Sequence, residues 1–180
     1  MKTIIGNIFV QKADCIAVTT NGIVKQSGAA VMGRGIALLF KERWPGIDYI
    51  LGELIKENGN VVNLITDGYG TMATPMLWHE KYIGGVPDAD GIVLPWHIIS
   101  FPTKDNWKDK SSLELIAHSM GQLAKMATFY KWKKVIIPRP GCTNGGLTWD
   151  LVGPTLERLL KKDNRFVFIS QGKDDFSYSV

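Results

Sequence analysis

Three segments of this sequence carry residue types at spacings that suit a phosphorylated ligand. The first is Val31-Met32-Gly33-Arg34-Gly35-Ile36, directly ahead of an apolar helical stretch. Glycines at a helix N-terminus let backbone amides approach an anion, and the helix dipole adds attraction. Arg34 adds a full charge, although an ordinary Gly-x-Gly turn accounts for the same pattern. The second is Pro138-Arg139-Pro140-Gly141-Cys142-Thr143-Asn144-Gly145-Gly146-Leu147. Its closely spaced amides can form a nest around phosphate. It lacks the Lys-Ser/Thr ending of a P-loop, which argues against nucleotide triphosphate hydrolysis. A wide connection needing positive φ is the plain alternative. The third is Phe101-Pro102-Thr103-Lys104-Asp105-Asn106-Trp107, where Lys104 ends a long apolar run. A lysine there is commonly a solvated strand end. Taken together, two glycine loops and a lysine suit a diphosphate cradle with an amine beside it.

Such loops need rigid elements behind them, and the hydrophobic pattern supplies alternating strands and helices. Residues 3–10, 15–20, 61–66, 92–101, 133–138 and 165–170 read as strands from their β-branched, apolar runs. A helix from Ile36 must end at Trp44-Pro45-Gly46, because proline cannot donate and disfavours helix in the residue before it. Residues 47–57 form a second helix, stopped by Asn58-Gly59. Ser111 with Glu114 spells a capping box for a third, whose stripe runs Leu113, Ile116, Met120, Leu123, Ala127, Tyr130. Residues 148–161 make a fourth. Residues 67–91 are punctuated by Gly and Pro and read only as loops or short edge strands. Strands separated by helices argue a largely parallel sheet covered on both faces, with ligands at the carboxyl ends of strands.

Composition narrows the class. A chain of 180 residues suits one domain with a full core, and 45 % hydrophobic with 21 % charged residues excludes disordered, collagenous and fibrous proteins. The net charge of +4 favours anionic ligands without reaching histone-like density. Cys15 and Cys142 cannot make a disulfide framework, and the interrupted apolar start of the chain is not a secretory leader. The expectation is a cytoplasmic protein with no membrane span, since no run nears the ~18 apolar residues of a membrane helix.

Three motifs, in order, are shared with a known family. Residues 32–41 (MGRGIALLFK), Phe101-Pro102-Thr103-Lys104 and residues 141–149 (GCTNGGLTW) resemble a macro domain. The branch is that of the DNA ADP-ribosyl glycohydrolase antitoxins (DarG-like) and the terminal ADP-ribose protein glycohydrolase. Matches run from about Gly6 to Ser170. The resemblance implies a single macro domain over 1–180, with a three-layer α/β/α fold, a mixed, largely parallel central sheet and an ADP-ribose cleft over the strand ends. It implies that Asn7 and Ile8 meet adenine, and that Asn21 and Gly22 lie near the distal ribose. Met32, Gly33, Arg34, Gly35 and Ile36 match one phosphate loop. Gly141, Cys142, Thr143, Asn144, Gly145 and Gly146 match the other. Thr103 lines the cleft, and Lys104 matches the catalytic lysine. Two departures stand out: residues 22–30 are longer than in the DarG-like pattern, and Gly145 replaces the catalytic Asp of the terminal glycohydrolase pattern. The DarG-like branch carries Asn-Gly-Gly in that loop, as here.

The other reactive side chains have simpler explanations. His79, His97 and His118 lack metal spacing, so neither a metal nor a cofactor is expected. Trp78, Trp96 and Trp107 suit core or rim packing, with base stacking as the alternative. Lys131, Lys133, Lys134, Lys161 and Lys162 suit solvated helix ends, and Cys142, for which the sequence demonstrates no base, reads as a small loop residue and not as a nucleophile. The resulting expectation is a monomeric ADP-ribosyl hydrolase acting on ADP-ribosylated DNA or protein through Lys104. Its rivals are a non-catalytic ADP-ribose reader or sponge, and a nucleic-acid-binding protein using the basic patches and tryptophans.

Overall fold

A computed structural model describes residues 1–66 and 97–172. Strands β1 (Lys2–Ile5), β2 (Cys15–Asn21), β3 (Leu64–Thr66), β4 (His97–Lys104), β5 (Val135–Pro138) and β6 (Phe166–Ser170) form one sheet in the order β1-β6-β5-β2-β4-β3. All neighbours are parallel except β3, which runs antiparallel to β4 at the edge. The α helices are α1 (Gly35–Arg43), α2 (Ile47–Asn58), α3 (Leu113–Phe129) and α4 (Trp149–Leu160).

Side chains alternate across a strand, so one run of apolar residues feeds two cores. Ile16, Val18, Ile98, Ile136, Val167 and Ile169 pack under α1 and α2. Cys15, Ala17, Ile99, Phe101, Val135, Ile137, Phe166 and Phe168 pack against α3 and α4. Burying each large side chain contributes about 1.5–3 kcal/mol before entropy is counted. The result is the expected α/β/α sandwich with a mixed, mainly parallel sheet.

Several boundaries differ from the sequence expectation. The first strand stops at Ile5; Asn7 accepts from the Phe9 amide at 2.9 Å and turns residues 8–10 into a short 3-10 helix. The third strand starts only at Leu64. The amides of Val62 and Asn63 go instead to side chains, Gln122 Oε1 and Ser100 Oγ. The capping box is displaced by one residue: Ser112 is the N-cap and accepts from the Leu115 amide at 3.1 Å. Ser111 lies one residue earlier against the second glycine loop, its amide donating to the Gly145 carbonyl. The fifth strand opens at Val135, since the Lys133 and Lys134 amides donate to the Asp14 carboxylate. The expected strand 92–101 runs on to Lys104, and its first residues, like all of 67–91, lie outside the described residues.

Candidate ADP-ribose site

The carboxyl ends of β2, β4 and β5 lie side by side in the sheet, and the three loops singled out above follow from that edge or face it. Asn21 and Lys104, the last residues of β2 and β4, are register partners across a bulge at Thr20/Asn21. The Gly22 amide donates to the Asp105 carbonyl at 2.9 Å, and Asn60 Nδ2 donates to the Lys104 carbonyl at 3.1 Å and to Asp105 Oδ1 at 2.8 Å. Asn60 thereby fastens the end of β4 to the turn after β2. Nothing in its type distinguished it in the sequence, where it lies just past the Asn58-Gly59 helix stop.

The loop ahead of α1 presents open amides. Arg34 is the N-cap, extended and without a side-chain cap, and the first helical bond is from the Leu38 amide to the Arg34 carbonyl. Gly33, Arg34 and Gly35 are exposed, whereas Met32 is buried below them together with Ile8. Gly35 has φ +57°, and a Cβ there would lie 2.8 Å from Asn144 Nδ2. The first glycine loop therefore abuts the second. Ile36 is half-buried against the core under α1.

The loop after β5 is folded tightly on itself. Thr143–Gly145 forms a 3-10 turn, with Thr143 and Asn144 exposed and Gly145 buried. Gly141 has φ +75°, and a Cβ there would lie 2.6 Å from Ile116 Cδ1 and 2.9 Å from Leu147 Cδ1. Gly141 thus faces α3 and the loop's own interior. Cys142 is half-buried with Sγ 3.8 Å from the Pro140 carbonyl, and a Cβ on Gly146 would touch the stem of Lys110. Gly141→Ala should destabilise the fold by about 1–3 kcal/mol, from overpacking and positive φ together. Denaturant midpoints check this; an unchanged midpoint would mean that the loop has slack.

Lys104 closes the arrangement. Its Nζ donates to the Asp109 carbonyl at 2.6 Å and to the Asn144 carbonyl at 3.2 Å. An ammonium has three N–H donors, and these contacts use two of them. Burial pushes the Lys104 pKa below the ordinary lysine value, while the Asp109 charge partly opposes the shift. Asn144 is where all three segments meet: its amide group lies at Gly35 and its carbonyl at Lys104. Asp109, like Asn60, was not singled out in the sequence, because it contributes a backbone carbonyl that any residue could supply.

Other expected site residues sit in the same frame with local partners. Asn21 Nδ2 donates to the Val31 carbonyl at 2.8 Å and its Oδ1 accepts from the Ile23 amide, so it braces the 22–31 excursion. Thr103 is buried and its hydroxyl donates to the Thr20 carbonyl. Asn7 is exposed, with Oδ1 on the Phe9 amide. Among the described residues no cluster of His, Cys, Asp and Glu could hold a metal, and no helix is long and apolar enough to cross a membrane. His97 Nδ1 accepts from Trp132 Nε1 at 3.0 Å at the opposite end of β4, and His118 is exposed. His79, Trp78 and Trp96 lie outside the described residues.

This fold has known counterparts. No family model matches the sequence. A DNA ADP-ribosyl glycohydrolase of Mycobacterium tuberculosis is 32 % identical over 120 residues, which is 67 % of this chain and 29 % of that protein. The solved macrodomain of Mycobacterium tuberculosis DarG superposes with a TM-score of 0.69 at 24 % identity, covering 93 % of this chain and 95 % of that one. This chain is a DarG-like macro domain. Thermosipho africanus DarTG, solved in complex with ADP-ribose, matches the macro domain with a TM-score of 0.70 at 22 % identity, over 95 % of this chain and 42 % of that one. The macro domain spans between 29 % and 38 % of the length of the curated relatives it matches.

Proposed function

We propose that this macro domain is an ADP-ribosyl hydrolase that releases ADP-ribose from a macromolecule, with ADP-ribosylated DNA as the first substrate to test. The observation that carries the reading is the meeting of Gly35, Asn144 and Lys104, which sets a cationic amine beside two amide-rich loops. Relatives named DNA ADP-ribosyl glycohydrolase support DNA as the acceptor. In this reading the amides ahead of Leu38 and those of Thr143 and Asn144 hold the diphosphate, since the Cys142, Gly145 and Gly146 amides already donate within the second loop, and Asn7 and Ile8 lie at the adenine. The distal ribose then lies toward Asn21 and Lys104.

The reaction breaks the bond between the anomeric carbon and the acceptor atom. Water supplies the new oxygen on that carbon, and its proton goes to the departing acceptor. Positive charge builds on the sugar and negative charge on the leaving group as the bond stretches, and a fixed donor aimed at the leaving group stabilises the transition state. Lys104 suits that task as a cation. An ordinary lysine has a pKa near about 10.4, so neutral amine is rare at pH 7. Burial lowers the Lys104 value, but a bound diphosphate favours the charged form.

The sign of the pH dependence follows. If protonated Lys104 is the active form, kcat/KM falls as pH rises through the pKa of the free protein, below that of an ordinary lysine. Asp109→Asn removes the charge that holds this pKa up, so the fall should begin at lower pH. An alkaline limb that ignores Asp109, or one that rises, would count against a cationic role. The reading as a whole is tested by assaying release of ADP-ribose from a panel of ADP-ribosylated DNA and protein substrates. Tight ADP-ribose binding with no release from any of them would leave a reader or sponge.

A further inference from the structure

The loop that follows Lys104 carries a tryptophan where a core residue is least expected. Trp107 is 51 % exposed, and its only ring or cation contact among the described residues is Lys108, whose Nζ stands 5.3 Å from the ring centroid. Tryptophan ordinarily gains by burial, so exposure on a loose loop would call for no explanation, but this loop is held at many points. Asn106 Oδ1 accepts from the Lys108 amide at 3.0 Å, and the Asn106 carbonyl accepts from the Asp109 amide at 3.1 Å. Asp105 is fixed by Asn60 and by the Gly22 amide, and the Asp109 carbonyl by Lys104 itself. The Ser112 amide, past the loop, donates to the Thr103 carbonyl. The indole is thus displayed on a frame built around the amine proposed to act on the scissile bond.

Charge on the loop is sorted as well. The Asp105 carboxylate is bonded by Asn60 and the Asp109 charge acts on Lys104, so both acids are engaged at the base of the loop. Lys108 lies over the indole and the stem of Lys110 runs along Gly146 of the second glycine loop. An exposed π-face with an ammonium group against it and a second lysine on the same loop is the kind of pairing that holds single-stranded nucleic acid, by base stacking and phosphate contact.

We propose that Trp107, with Lys108 and Lys110, is the acceptor-side subsite, on which a nucleobase of a single-stranded nucleic-acid substrate stacks beside the bond to be cleaved. The inference rests on the hydrolase reading above and adds to it the residue that selects nucleic acid over other acceptors. It predicts a division of labour, with the glycine loops holding ADP-ribose and Trp107 holding only what ADP-ribose is attached to.

The test uses Trp107→Ala and Trp107→Phe beside the wild type. Two quantities are measured with ADP-ribose present or attached: affinity for an unmodified single-stranded DNA oligonucleotide, and KM and kcat for release from the same oligonucleotide carrying ADP-ribose. Trp107→Ala should weaken oligonucleotide binding and raise KM by about ten- to a hundredfold, on the scale of losing one stacked base. Trp107→Phe should recover most of it, and kcat and the affinity for free ADP-ribose should hold within about twofold. Unchanged oligonucleotide affinity and KM in Trp107→Ala would overturn the proposal. So would an equal loss for free ADP-ribose, or a loss confined to an ADP-ribosylated protein substrate. Oligonucleotide binding that depends on Trp107, in a wild type that releases ADP-ribose from nothing, would sink the hydrolase reading and leave the stacking surface standing.

Discussion

Lys104→Ala is expected to separate binding from catalysis. The amine sits at the end of β4, a rigid seat, and touches the second glycine loop only through the Asn144 carbonyl. In the proposed reading the two loops hold the phosphates independently of it. Losing one charged hydrogen bond to the ligand costs about 1.5–3 kcal/mol of affinity at most. If the amine acts on charge that develops only in the transition state, as proposed, hydrolysis should fall further, by about a hundredfold or more. Lys104→Arg keeps the charge but changes reach and donor geometry, so only weak rescue is expected. Single-turnover release beside a calorimetric titration checks both halves. Wild-type turnover in Lys104→Ala would remove the amine from the mechanism, and a robust borohydride-trapped sugar adduct on Lys104 would replace its electrostatic role with a nucleophilic one.

The second large effect is expected at Gly33. No atom lies within 4 Å of where a Cβ would stand, and the residue is exposed, so a side chain fits without disturbing the fold. Gly33→Ala should therefore be near neutral in both stability and binding. Gly33→Glu places an anion where the loop is proposed to meet phosphate. Two like charges about 4 Å apart near a protein surface repel by about 4 kcal/mol, on the order of a thousandfold in affinity. The pair of variants separates steric from electrostatic loss, which Gly141→Glu cannot do, since Gly141 faces Ile116 and Leu147 and any side chain there strains the fold. Calorimetry with ADP-ribose, with thermal melts alongside, is the measurement. Undiminished binding in Gly33→Glu would take this loop out of the cleft.

The sheet and its two covered faces were legible because burial on both sides makes each strand a nearly unbroken apolar run, as in residues 135–137 and 166–169. Lys104 was legible as a polar residue at the end of such a run. What the sequence hid was the pairing of backbone groups. Ser111 and Ser112 offer the same hydroxyl in succession, and the fold gives the Leu115 amide to Ser112 while Ser111 packs against Gly145. Asn7 and Asn21 match a family pattern as ligand residues, yet both also hold local turns through Phe9, Ile23 and Val31, a use that a residue type alone does not announce. Gly141 and Gly33 look alike in sequence; one faces a packed interior and the other open space. Asn60 reaches Lys104 and Asp105 across 44 and 45 residues, a distance that no local spacing rule spans.

A cleft that both holds ADP-ribose and cuts it from its acceptor must show the two activities in one preparation. The most direct measurement is a single-turnover time course of the wild-type macro domain with an ADP-ribosylated single-stranded DNA oligonucleotide, identifying the released product by mass. A titration with free ADP-ribose is run on the same preparation. Saturable ADP-ribose binding is expected together with release of intact ADP-ribose and recovery of the unmodified oligonucleotide. Tight binding with the oligonucleotide still fully modified would contradict it, and so would release of AMP in place of ADP-ribose, because the cut would then lie in the diphosphate and not at the anomeric carbon beside Lys104.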